Sequence, residues 1–213
     1  MIRSLRPLFL LFPLSCLGGE PKPLAEWTFD VTEASVTPGL SPTHLHMELE
    51  PTPVKPGPGV GVIKIGTAKG KLNDPVLLFH PRETLPPNRF THAMEQGSFL
   101  QVELKGRFDS HLLLTTVEFD VAKAGSGDRS WSLRSSRTGK QNLATASPEP
   151  QEWQPGETDD GLRTVRVDLR SLPEFKQPVK DVTFTLIYIA NSSRNLAVDN
   201  LRFHGTVTGE TED

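Results

Sequence analysis

The sequence predicts an all-β chain folded as one antiparallel β-sandwich. Three observations lead there. Segment after segment alternates apolar and polar residues with period 2, the pattern of a strand with one face buried and one face wet. Turn-forming residues separate those segments: the chain has 19 Pro and 17 Gly among 213 residues, enough for frequent tight turns and below the level of a low-complexity chain. No segment carries a sustained 3.6-residue period.

The strands follow in order. Residues 24–30 place Ala25, Trp27 and Phe29 on one side and Leu24, Glu26, Thr28 and Asp30 on the other. Residues 44–50 repeat the pattern, with Leu45, Met47 and Leu49 directed inward and His44, His46, Glu48 and Glu50 outward. Residues 51–61 contain four prolines, which remove backbone donors and fix φ, so this stretch reads as a loop. Residues 60–65 form a short β-branched strand, 75–80 another, and 81–88 a turn-rich connection. From residue 98 the alternation is clean: Leu100, Val102 and Leu104 point one way, 112–122 form a long strand, and Trp131 and Leu133 share a face opposite Ser130, Ser132 and Arg134. Residues 162–169 alternate again, 182–189 are the most apolar strand and so central, and 196–207 close the domain. Pro173-Glu174-Phe175 reads as a single helical turn. About ten strands result, with no helix, in one domain over residues 24–208 and a polar tail at 209–213.

Bulk charge removes one class of partner. Net charge is −3, and the first 18 residues take Arg3 and Arg6 with them, leaving 21 basic against 26 acidic residues. A mildly acidic chain with no basic stripe is a poor match for nucleic acid, whose binding rests on phosphate neutralisation.

Residues 1–19 carry two arginines, then an apolar run of roughly a dozen residues, then Gly18-Gly19. That is the order of a secretory signal, and the run is shorter than the 20 or so residues a membrane span needs. Cys16 is the one cysteine. It is either removed with the signal, or Leu14-Ser15-Cys16 is a lipoprotein-type site and Cys16 becomes the acylated N-terminus. Either way the mature fold has no disulfide, which fits a bacterial exported domain better than a eukaryotic secreted one. The expected location is outside the cytoplasm: extracellular, periplasmic or on the outer surface.

Seven pieces, in order, carry a resemblance: Trp27-Thr-Phe-Asp30, the strand at 98–104, Leu114-Thr-Thr-Val-Glu-Phe-Asp120, Ser130-Trp-Ser-Leu-Arg-Ser-Ser136, Val167-Asp-Leu169 after Trp153, Val182-Thr-Phe-Thr-Leu186, and Leu196-Ala-Val-Asp-Asn-Leu201. Together they resemble exported bacterial β-sandwich proteins of the PEP-CTERM-associated type. The last strand also looks like the closing strand of jelly-roll carbohydrate-binding modules, where an acidic residue meets the first strand at a structural calcium. The resemblance implies a jelly-roll, galactose-binding-like sandwich.

Candidate sites are few. Asp30 and Asp199, with a carbonyl oxygen of Asn200, would hold Ca²⁺ if the first and last strands end side by side, since Ca²⁺ takes six to eight oxygens. Otherwise Asp30 opens a turn and Asp199-Asn200 bonds locally. The acidic loop Glu157 to Asp160 lacks calcium-loop spacing and reads as a solvated turn. His44 and His46 share a face but have no evident third zinc ligand. Trp27, Trp131 and Tyr188 are in phase with apolar neighbours and read as core. Trp153, in a polar, proline-flanked stretch, is the aromatic expected at the surface, where it could stack on a sugar. Arg134, with Arg129 and Arg137, either adds a polar rim to such a site or covers the outer face of a sheet. Motifs for a serine-nucleophile elbow, a zinc hydrolase or a phosphate loop are absent, and no catalytic residue is expected. The leading expectation is a non-catalytic module binding polysaccharide or an envelope glycan. The alternative is a structural or protein-interaction component of the bacterial envelope without a small ligand.

Overall fold

The computed structural model describes residues 22–29, 40–67, 75–85, 89–123, 129–146, 162–190 and 195–209. The expected signal at residues 1–19 with Cys16, Asp30, the acidic stretch 157–160 and Trp153 lie outside these residues. The described chain forms twelve strands: β1 (Ala25–Trp27), β2 (His44–Leu45), β3 (Lys55–Pro56), β4 (Val60–Thr67), β5 (Pro75–Pro81), β6 (Phe99–Lys105), β7 (His111–Lys123), β8 (Arg129–Ser135), β9 (Ala144–Ala146), β10 (Arg163–Asp168), β11 (Asp181–Ala190) and β12 (Leu196–Thr208). One short helix, α1 (Phe90–Glu95), and two 3₁₀ turns at Leu169–Ser171 and Pro173–Phe175 complete them.

The strands build two sheets, and every pairing between them is antiparallel. One sheet runs β10-β7-β12-β1-β2, with β5 also paired to β12 and β4 paired to β5; the other runs β3-β6-β11-β8-β9. The fold is an all-β sandwich of jelly-roll type. As the most apolar strand, β11 sits at the centre of the five-stranded sheet. Alternation holds on β6, where Leu100, Val102 and Leu104 are buried.

Aromatic rings tie the two sheets together. Phe203 of β12 meets Phe184 of β11 with ring centroids 4.8 Å apart. Phe119 of β7 meets Trp131 of β8 at 5.4 Å, and Phe79 of β5 meets Tyr188 of β11 at 5.6 Å. Trp27 stands edge-on to Phe203 at 5.9 Å, and its Nε1 donates to the Leu40 carbonyl at 3.1 Å, so the one polar atom of that buried side chain is satisfied.

Three expectations change, the smallest at the proline-rich stretch 51–61, read as a loop, which holds the two-residue edge strand β3. Residues 44–50 are not one strand. β2 ends at Leu45, and a turn closed by Leu49 N–H donating to the His46 carbonyl follows. Leu49 still reaches the core, through an isolated bridge to Gly106. Met47, expected inward, is instead 77% exposed, and the His44/His46/Glu48/Glu50 row is broken. The third change is α1. Six residues are too short for a helical period to register, but Phe90 and Ala93, three apart on one face, pack on Ile187 and Ile189. Those two β11 residues point away from the sandwich core, and α1 with Leu85 roofs them. The same roof explains why Ser130 and Ser132, which pair with Ile189 and Ile187 across β8–β11, are buried.

Among the described residues, three other than glycine hold left-handed backbone: Phe29 (φ 56°), Phe108 (φ 46°) and Asn200 (φ 48°). Asparagine tolerates this region, whereas for a phenylalanine it costs roughly 1–2 kcal/mol.

Phe203 joins both sheets and is fully buried. Phe203→Ala should lower stability by about 3–5 kcal/mol, read as a shift of the urea midpoint at unchanged slope.

Candidate functional site

Two places on the molecule gather chemistry predicted from the sequence. The first is the strand-end acid Asp199. β12 pairs with β5 through Leu196–Val198 and with β1 through Leu201–Phe203. Between these the β12–β7 register shifts: Asp199 pairs with Asp120 and Arg202 with Glu118, so Asn200 and Leu201 form a bulge opposite Phe119. Asp199 is buried. Its Oδ1 accepts the Asn200 backbone N–H at 2.8 Å, and its Oδ2 accepts Asn200 Nδ2 at 3.1 Å. The same Nδ2 donates to Asp120 Oδ2 at 2.8 Å. Asp120 Oδ1 accepts the Thr164 hydroxyl at 2.6 Å.

Two carboxylates thus converge on one amide. The spot is rich in oxygen, as Ca²⁺ requires, and residue 30 follows directly on Phe29 at the end of the first strand segment. Asn200, however, stands between the acids as a donor, and its side-chain oxygen faces Arg202 Nη2 at 3.3 Å. Any ligand role for Asn200 falls to its backbone oxygen. Among the described residues no group of three or more His, Cys, Asp and Glu could hold a metal ion.

The second place is the outer face of the five-stranded sheet, where Arg134 lies. Arg134 pairs with Thr185, Thr185 with Gln101, and Gln101 with Lys55 across β8, β11, β6 and β3. Gln101 Nε2 donates to Thr185 Oγ1 at 3.3 Å. Thr183, one alternation on, shares this face. α1 forms one wall through Thr91, Met94 and Glu95, and the turn at 136–140, with Gly139 and Lys140, forms the other. The result is an open groove of about 560 Å³ with an amide, hydroxyl and guanidinium floor. Arg134 Nε donates to Asn142 Oδ1 at 2.8 Å. Burial holds its pKa below the usual arginine value.

The remaining candidates separate. Trp27, Trp131 and Tyr188 are core. Arg137 is engaged by the Glu174 carbonyl, which accepts from its Nη2 at 2.8 Å. Asp30 and Trp153 lie outside the described residues; Trp153 belongs to the segment joining β9, the edge of the grooved sheet, to β10. Sequence reasoning found the alternation of Gln101 and took 182–189 as the most apolar, central strand, without setting Thr183 and Thr185 on its outer face. It missed their enclosure, because the wall comes from α1.

Replacing Asn200 by Asp keeps its size and its tolerance of left-handed backbone but sets a third carboxylate between two others. Its folded pKa would rise above the unfolded value of about 3.9, so the penalty is absent below that pH and grows as pH rises. Asn200→Asp should cost about 3 kcal/mol at pH 7, with the gap to the parent closing near pH 4 in thermal melts.

No family model matches the sequence, and no curated protein matches it. Solved structures similar to it include a non-crystalline cellulose specific carbohydrate-binding module, CBM28, at 13% identity and a TM-score of 0.40, over 72% of this chain and 88% of that one. Another is the family 11 carbohydrate-binding module from Clostridium thermocellum, solved with a β-1,3-1,4-mixed-linked tetrasaccharide, at 14% identity and a TM-score of 0.38, over 86% and 97%.

Proposed function

We propose that this protein is an exported, non-catalytic module that binds polysaccharide or an envelope glycan in the groove over its five-stranded sheet. The observation that carries this is the row Arg134–Thr185–Gln101 on the groove floor. A sugar chain offers vicinal hydroxyls that both donate and accept. The floor answers with the remaining guanidinium N–H groups of Arg134, the hydroxyls of Thr183 and Thr185 and the amide of Gln101. Met94 supplies apolar surface for the C–H face of a pyranose. The positive charge of Arg134 strengthens each hydrogen bond it donates. Trp153 is the proposed stacking residue at this site.

The leader at residues 1–19 would deliver the module out of the cytoplasm, as in the PEP-CTERM-associated proteins it resembles, and acylation of Cys16 would hold it at a membrane. We further propose a structural Ca²⁺ held by Asp199, Asp30 and the backbone oxygen of Asn200.

Affinity electrophoresis against soluble cellulose derivatives, mixed-linkage glucan, xylan and envelope glycan should show retardation of the parent. Arg134→Ala should weaken binding by about 2 kcal/mol, more than tenfold, and Trp153→Ala should weaken it too, with thermal melts unchanged. A folded parent retarded by none of these glycans would favour the envelope structural component without a small ligand. For the metal, adding CaCl₂ to protein stripped with EDTA should raise Tm by roughly 5 °C at a concentration 100-fold above Kd; an unchanged melt removes it.

A further inference from the structure

Among the described residues, the large hydrophobics that stand exposed are Met47, Val62 and Phe108. Two of them sit on neighbouring turns at one end of the sandwich. Met47 is at the tip of the turn after β2, and Phe108, 86% exposed, is at the tip of the turn between β6 and β7. Main-chain and side-chain bonds lock these turns to each other. Arg107 N–H donates to the Glu48 carbonyl at 2.7 Å, and Ser110 N–H donates to the Arg107 carbonyl at 2.8 Å. The Ser110 hydroxyl donates to Glu48 Oε2 at 2.9 Å. At Gly106 a Cβ would fall 2.0 Å from the Ser110 carbonyl oxygen, so only glycine lets the second turn close this tightly.

The exposure of Phe108 is therefore built in. A rigid turn holds a large apolar ring in solvent on a left-handed backbone (φ 46°), where Gly or Asn would fit without strain. Strain of this kind persists only where its surroundings over-determine it, and it gathers at ligand sites. The ring borders a groove of about 570 Å³ lined by His46, Glu48, Phe108, Asp109, Ser110 and Val207. Glu48 N–H donates to His46 Nδ1 at 3.3 Å, which places the imidazole proton on Nε2 as a donor. The Asp109 carboxylate adds an acceptor.

We propose that this end groove is a second glycan site, which takes one uncharged pyranose unit against the Phe108 ring. An aromatic face flanked by one donor and two carboxylates matches the C–H face and hydroxyls of a neutral sugar. The acidic lining disfavours uronates, sulfated glycans and anionic membrane surfaces. The inference rests on the carbohydrate reading of the protein and goes beyond the sheet groove, because none of the end-groove residues belongs to that groove.

The test uses the full chain and three variants, Phe108→Ala, Phe108→Trp and Arg134→Ala, titrated calorimetrically with neutral oligosaccharides of glucose, xylose, mannose and galactose, and a fourth, Phe108→Gly, used in thermal melts alone. Phe108→Ala should weaken binding of at least one sugar by about fivefold to tenfold, and Phe108→Trp should restore it. Phe108→Gly should melt no lower than the parent, since glycine relieves the backbone. Binding that Arg134→Ala weakens and both Phe108 variants leave unchanged would overturn the end site and leave the sheet groove standing. No binding by the parent at all would overturn both. A Phe108→Ala variant that binds sugar normally but loses self-association in sedimentation would overturn the end site in favour of a contact between copies of the chain.

Discussion

The fold depends on a change of partner halfway along β12. One edge of this strand pairs with β7 over almost its whole length. The other edge must serve β5 at residues 196–198 and then β1 at 201–203. Val198 pairs with Val121 and Phe203 with Val117, an interval of five residues on β12 against four on β7. In a regular strand that odd interval would turn Phe203 to the outside, because one residue of slip exchanges the two faces. The bulge at Asn200-Leu201 absorbs the extra residue, so both Val198 and Phe203 reach the core. A second shift, between His204 and Gly205, takes up an extra residue on β7 and restores the match. Gly205 is required there, since a Cβ would lie 2.3 Å from the Leu113 carbonyl oxygen. The Asn200 amide, bound to Asp120 and Asp199, holds the first bulge and with it the ring contacts of Phe203 that join the sheets.

The outer faces of the two sheets then differ in a way that bears on function. On the seven-stranded sheet His44, Glu26, Arg202, Glu118 and Arg166 fall in one row across five strands. Glu26 Oε1 accepts Arg202 Nε at 2.5 Å, Glu118 Oε1 accepts its Nη1 at 3.5 Å, and Arg166 lies 3.9 Å from Glu118. Glu26, foremost, raises the pKa of Arg202. The row is a closed ladder of alternating charge, and its guanidinium is already engaged on three sides. Arg134, on the other sheet, has an amide partner and, among the described residues, no carboxylate within ion-pair reach. Arg202 is consumed by the fold, whereas Arg134, among the described residues, donates only from Nε to Asn142.

Much of this was legible in the sequence, and the failures have a common cause. Alternation on 98–105 gave the strand and faces of β6, and the apolar run at 182–189 gave a central strand, β11, which is paired along both edges. Tryptophans in phase with apolar neighbours were core as well. The local alternative for Asp199-Asn200 was legible too, as asparagine after aspartate favours local hydrogen bonds and left-handed backbone. Alternation failed at 44–50, where Leu45 and Leu49 both reach the core but a turn intervenes. The period survived in the letters while the strand did not, so Met47 was turned the wrong way. Nothing in the sequence distinguished Phe108 from a core residue. Its exposure follows from the tie between two turns 60 residues apart in the chain, a contact that no local pattern encodes.

The helix shows how a small departure from pure β structure changes what a sandwich can do. The outer face of β11 carries Thr183 and Thr185 at one end and Ile187 and Ile189 at the other. Left bare, the isoleucines would form an apolar stripe beside polar threonines, a poor surface for either water or a glycan. Phe90, Ala93 and Leu85 cover the apolar end and stop there, so the boundary of the roof becomes the wall of the groove. The sequence of one strand thus specifies both a packing surface and a floor, and the point where its outward residues change from Thr to Ile fixes where the groove begins.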